Sequence, residues 1–140
     1  PAEEGDWAPG AASNAWRHRS LQALDADLRA RGSRLRCFAG PTLDTLRMLV
    51  AGTGARCIRW NRRYDPHSEL RDAAVRRALA DDGLDARSCN GALLFEPWTL
   101  ATKAGTPFKV FTPFWKAALA HWRLEPMWEA PARIANVPDA

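Results

Sequence analysis

Seven consecutive residues, Trp60-Asn61-Arg62-Arg63-Tyr64-Asp65-Pro66, bring together an indole, a carboxamide, two guanidinium groups, a phenol and a carboxylate. The set stands where a buried strand ends and a helix begins, the edge at which open α/β sheets gather their ligands. The plainer alternative is that Arg62, Arg63 and Asp65 form a salt-bridged loop and a helix cap. A second aromatic stretch, Phe111-Thr112-Pro113-Phe114-Trp115-Lys116, reads as a hydrophobic seam for another part of the protein.

Other chemistries lack their residues. His18, His67 and His121 are far apart and have no Cys or carboxylate at ligand spacing, so a zinc site is not indicated. Gly52-Thr53-Gly54 is not followed by the further glycine of a dinucleotide fingerprint and reads as a helix C-cap and turn. Neither a nucleophile elbow nor a phosphate-binding loop is present. Glu96 and Glu125 have no partner at a defined spacing, so a paired-carboxylate mechanism is not expected. Cys37, Cys57 and Cys89 are odd in number and widely spaced, which fits reduced core cysteines.

These groups must be positioned by a regular alternation of elements. Ser13 is placed to cap a helix running to about Arg31, with Trp16, Leu21, Leu24 and Leu28 on one face, and Gly32 ends it. A strand is expected over 35–39. Gly40-Pro41-Thr42 then turns into a second helix, whose apolar side is Leu43, Leu46, Met48, Leu49 and Val50. Residues 55–60 read as a strand, and Asp65-Pro66 starts a helix that runs to Asp82-Gly83. A less apolar strand is expected over 86–89. From Phe95 the rhythm breaks into a long ordered loop, after which Thr112-Pro113 caps a helix over 114–122. The proline-bearing tail from Leu124 reads as a linker. Helices alternating with short strands define parallel βαβ units in a layered α/β domain.

Composition sets outer limits. The 140 residues suffice for one domain, and 46% hydrophobic residues can form a core. Twenty Lys and Arg against sixteen Asp and Glu make a mild basic excess, carried almost wholly by Arg because Lys occurs only at Lys103, Lys109 and Lys116. Solvated arginine faces are the plainer reading of such an excess, ahead of a polyanionic partner. With no apolar run of about 18 residues and no signal-like start, a soluble cytoplasmic protein is expected. Seven tryptophans are read first as packing residues, although those after Trp98 mark a surface to be covered.

Several blocks, in order, resemble the N-terminal domain of the DNA photolyase and cryptochrome family. They are Trp16 and His18 on the first helix, Gly40 at the turn, Trp60 to Pro66 with Asp65 where Glu is usual, and Asn90-Gly91-Ala92-Leu93-Leu94-Phe95-Glu96-Pro97. Thr102-Lys103-Ala104-Gly105 and Phe108-Lys109-Val110-Phe111-Thr112-Pro113-Phe114-Trp115 complete the likeness, which covers nearly the whole chain. The resemblance implies a Rossmann-like doubly wound parallel sheet, truncated at its N-terminus because the family's first strands precede Pro1. In the order 3-2-1-4-5 those strands lie centrally, so a marginal fold or self-association is expected. Residues 1–122 would be the incomplete α/β domain and 123–140 the linker to a helical FAD-binding domain outside this chain.

In that family the α/β domain carries an antenna chromophore, an 8-hydroxy-deazaflavin, a methenyltetrahydrofolate or FMN. The resemblance assigns Asn14, Asn61, Arg62, Arg63, Tyr64 and Asp65 to its binding, with no catalytic or metal residue. Asn14 stands where Arg is frequent, and Arg63 where some members carry an acid. The implied function is that of part of a deoxyribodipyrimidine photolyase, a blue-light-driven, FAD-dependent lyase acting on cyclobutane pyrimidine dimers in DNA. Alone, the chain is expected to be inactive. A cryptochrome photoreceptor domain, or a generic nucleotide-binding α/β module, remains an alternative.

Overall fold

The computed structural model describes residues 8–123 and 127–136. Trp7, Glu125 and the tail residues Leu124, Pro126 and Pro138 fall outside them. In chain order the elements are α1 (Ala11–Ala30), α2 (Thr42–Thr53), β1 (Cys57–Asn61), α3 (Pro66–Asp81), β2 (Asp85–Cys89) and α4 (Phe111–His121). β1 and β2 pair in parallel with Cys57 opposite Asp85 and Asn61 opposite Cys89. Parallel neighbours need a crossover, and α3 supplies it.

Period-two alternation decides which side chains enter the core. Ile58 and Trp60 of β1, with Ala86 of β2 beside Ile58 in register, face Val75 and Leu79 of α3. Val75 and Leu79 are four residues apart and so share one face of the helix. Leu79 is completely buried, and Leu43 and Leu46 of α2 close the cluster. Arg47 of α2 donates to both carboxylate oxygens of Asp82, at 2.7 and 3.1 Å, tying α2 to the far end of α3. Gly83, with φ of 78°, lets the chain turn back so that the Leu84 N–H reaches the Leu79 carbonyl.

The α/β class, the parallel pairing, α3 and the Gly54 C-cap agree with expectation, whereas other local readings need correction. Residues 35–39 form no strand among the described residues: a strand is a pairing, and here the Leu35 N–H is taken by the Asp25 carboxylate at 2.8 Å. α1 starts at Ala11 behind an N-cap at Gly10, not at Ser13, and buries no residue. Its apolar stripe faces water, with Trp16 74% exposed. All three cysteines are free but exposed, because Cys57 and Cys89 occupy the outward face of the strands and Cys37 lies in the unpaired segment. Trp16 and Trp98 are exposed as well, contrary to a packing role, whereas the exposure of Trp115, Trp122 and Trp128 agrees with an apolar surface in that part of the chain. α4 begins at Phe111 and carries Thr112-Pro113 within its first turn, where a missing N–H costs nothing.

The core is small, so single deletions within it are felt. Leu79→Ala should lower unfolding stability by about 2–5 kcal/mol, whereas Leu70→Ala, at a position 75% exposed, should change it by less than about 0.5 kcal/mol. Urea unfolding followed by far-UV circular dichroism measures both.

Candidate functional site

The site begins where β1 stops. One step past Asn61, the Arg62 N–H still donates to the Cys89 carbonyl at 2.8 Å, so the ladder carries the loop in register to the carboxyl rim. Asp65 then caps α3: its Oδ1 accepts the Ser68 N–H at 2.8 Å, and Pro66 follows at the first helical position. The Ser68 N–H, more than the nearby Arg63 guanidinium, holds the Asp65 carboxyl below the usual carboxylate range. Arg63 Nε stands 3.2 Å from Asp65 Oδ2.

Arg62 is the most heavily bonded side chain here. Its Nε donates to Ser88 Oγ at 3.1 Å, one terminal nitrogen donates to the Ser88 carbonyl at 3.0 Å, and the other to Glu96 Oε1. Its guanidinium carbon lies 4.9 Å from the centre of the Trp98 ring, within cation–π range. The second Glu96 oxygen accepts the Tyr64 hydroxyl at 2.9 Å. Glu96 therefore clamps two rim residues, and its side chain is only 14% exposed. Burial first, and then the bond to Glu96, push the Tyr64 phenol above its usual range, which keeps it a donor.

Trp60 is fixed from α3. Its indole N–H donates to Asp72 Oδ2 at 3.0 Å, while Arg71 donates to Asp72 Oδ1 at 2.7 and 2.9 Å. Asn61 points at the loop after β2, where a Cβ on Gly91 would lie 2.6 Å from its Oδ1. A side chain at position 91 would have to displace the Asn61 amide.

A cleft of about 260 Å³ opens at this rim. Trp60, Arg62, Arg63, Ser88 and Trp98 wall one side, and Glu69, Asp72, Ala73 and Arg76 of α3 the other. The α3 residues sit at i, i+3, i+4 and i+7, the spacing of one helical face. On the α2 side of Trp60 lies a second cleft of about 290 Å³, into which Leu46, Ile58, Arg59 and Val75 face.

Of the residues singled out from sequence, Asn61 through Asp65 meet at the rim, and Arg62 and Arg63 line the first cleft. Asn14 lines neither cleft. Its amide donates to the Pro9 carbonyl at 2.9 Å and accepts from Arg17 at 2.7 Å, bonds confined to the start of α1. The ion-paired loop and cap are both present, so Arg62 and Arg63 serve the fold while lining the opening, whereas Tyr64 and Asp65 line neither cleft. Trp98, Glu96, Ser88, Asp72 and Arg76 were missed. The α3 pair was legible as a helical face, whereas the loop residues are brought in only by tertiary contacts.

A parallel α/β layer with a polar, aromatic-walled cleft at its carboxyl rim places the chain in the open-sheet α/β class. The family model for DNA photolyase matches residues 1–133, and the chain belongs to that family. It is 47% identical over 108 residues to the deoxyribodipyrimidine photo-lyase of Agrobacterium fabrum, an alignment covering 77% of this chain and 22% of that protein. Against cryptochrome-2 of Arabidopsis thaliana the identity is 36% over 145 residues, covering 96% of this chain and 24% of the relative. The crystal structure of a bacterial class III photolyase from Agrobacterium tumefaciens superposes with a TM-score of 0.83 at 40% identity, covering 89% of this chain and 26% of that one. The chain thus spans about a quarter of the length of these relatives. Among the described residues no helix is long and apolar enough to cross a membrane.

Two outcomes test the geometry. Glu96→Ala frees Arg62 and Tyr64 together, and backbone amides of residues 92–99 should exchange with deuterium faster than in the parent chain. Because the folded Asp65 carboxyl titrates below its unfolded value of 3.8, its stabilisation is fully present above that pH and is lost as pH falls through the folded pKa. Asp65→Asn should therefore show a smaller drop in urea midpoint between neutral and strongly acidic pH than the parent.

Proposed function

We propose that this chain is the antenna-chromophore portion of a deoxyribodipyrimidine photolyase, in which residues 1–122 form the pigment-holding α/β part. Residues 123–140 then lead toward a helical FAD-binding domain. The observation that carries this reading is the rim cleft walled by Trp60 and Trp98, with Arg62 held over the Trp98 face. Two indole walls and several fixed polar groups fit a planar pigment of the 8-hydroxy-deazaflavin, methenyltetrahydrofolate or FMN type. When bound, such a pigment absorbs near-ultraviolet or blue light and passes excitation to the flavin that splits cyclobutane pyrimidine dimers in DNA.

The chain's own part is positional. Asp72 fixes the Trp60 ring through its N–H, and Glu96 with Ser88 fixes Arg62. A ring placed between these walls keeps one orientation and sheds water, which is what excitation transfer asks of a holder. No residue of the rim is assigned a catalytic step. The chain by itself is inactive as a lyase in this reading, and DNA contact belongs to the remainder of the protein. Self-association of the isolated chain follows from its exposed apolar surface, including Trp16, Phe111 and Trp128.

The alignment with Arabidopsis thaliana cryptochrome-2 over 96% of this chain supports a second reading, a blue-light receptor domain without repair. Titration of the purified chain with each pigment class, followed by visible absorbance and tryptophan quenching, should give saturable binding of at least one. Indifference to all three would remove the antenna function. Blue-light repair of dimer-containing DNA by the full-length protein should be present for a photolyase and absent for a receptor.

A further inference from the structure

The rim carries four arginines, and three are committed. Arg62 is bound to Glu96 and Ser88, Arg63 to Asp65, and Arg71 to Asp72. Arg76 is different. It lines the cleft from α3, and among the described residues its guanidinium has no hydrogen-bond or ion-pair partner. Of the two acids on that helical face, Asp72, one turn before Arg76, is taken up by the Trp60 indole and by Arg71, and Glu69 lies in the first turn of α3, where the helix dipole favours it. Two helical turns, about 10 Å, separate Glu69 from Arg76, too far for an intrahelical pair. Side chains on a helix lean toward its N-terminus, and the N-terminus of α3 is at the carboxyl rim, so Arg76 reaches up along the cleft.

We propose that Arg76 is the anion pole of the cleft, and that the cleft takes a planar ring carrying a separate acidic tail in preference to the same ring without one. This rests on the reading of the cleft as a pigment holder. The ring lies against Trp60 and Trp98, and the tail's phosphate or carboxylate meets the Arg76 fork. Guanidinium is suited to either anion through two parallel N–H donors, and it gains strength when a ring excludes water beside it. A ring bearing only neutral hydroxyls would leave Arg76 solvated as it is now.

Paired ligands that differ in the tail test this directly: FMN against riboflavin for phosphate, folic acid against pterin for carboxylate. Each is titrated into the full chain and into Arg76→Gln, Arg76→Lys and Arg77→Gln. Dissociation constants are read from tryptophan quenching. In the parent at least one acidic member should bind about tenfold tighter than its neutral partner. Preference in the first pair alone identifies a phosphate tail, and in the second alone a carboxylate.

Arg76→Gln should bring the ratio close to one. Arg77→Gln removes the same charge from a neighbouring position that does not line the cleft, and should keep the ratio. Arg76→Lys should retain part of it. Because each ratio is taken within one variant, a loss of folded protein cancels. Equal binding of acidic and neutral partners in the parent, or an undiminished ratio in Arg76→Gln, overturns the role of Arg76 while the pigment site stands. Absence of binding by all four ligands overturns both.

Discussion

The Arg62–Glu96 ion pair is the contact on which the rim depends. Arg62 leaves the end of β1, and Glu96 comes from the long segment that follows β2. With 24% and 14% of these side chains exposed, the pair is partly desolvated, so each charge relies on the other and on added hydrogen bonds. Those bonds exist: Ser88 takes two Arg62 donors, and Tyr64 occupies the second Glu96 oxygen. Removing either member would strand a charge, which explains how a segment without regular structure keeps a defined path. Trp98, two residues beyond Glu96, is carried into place under the guanidinium by the same anchor.

Around that anchor the hydrophobic contribution is narrow. Val75, Leu79 and Ala86 form the buried cluster, and the outward face of the two strands is a lattice of charge in which Asp85 binds both Arg59 and Arg87. Exposed pairs of that kind contribute little to stability. They do keep the outward face hydrated. A second small cluster forms where Leu100 and Ala118 are buried and Phe108 meets Phe114 edge-on at 6.1 Å, docking the loop against α4. Thr102 and Thr106 close a turn between Leu100 and Phe108 through backbone and hydroxyl bonds. The 90–110 segment is therefore ordered by three local devices: the Asn90 turn, the Glu96 clamp and the Leu100 anchor.

What could be read from sequence follows from which interactions are local. Asp65-Pro66 announced the start of α3 because a cap and a proline at the first position act within four residues. Gly54 ended α2 for the same reason, in a left-handed conformation with φ of 68°. The 35–39 segment has the residue types of a strand, yet strand formation is decided by a neighbour, and its backbone is bonded to α1 instead. The apolar stripe of α1 was visible but not its exposure, since periodicity reports a face and says nothing about what lies against it. Cys57 and Cys89 show the same limit, because strand residues alternate sides and only the register tells which side is covered. At the rim, Arg62 and Tyr64 were recognisable by type. Glu96 was not: it lies 34 residues from Arg62, and no spacing rule connects them.

That division accounts for how the site combines rigidity with an open cleft. The rim residues have two tasks on different atoms: Arg62 spends its N–H donors on Glu96 and Ser88 and leaves the guanidinium plane against Trp98. Trp60 spends its indole N–H on Asp72 and lines both clefts. Polar edges hold the frame while aromatic surface stays exposed at the opening. In the proposed pigment-holding role, a ring would then enter without breaking any bond that positions the wall, at little cost in reorganisation.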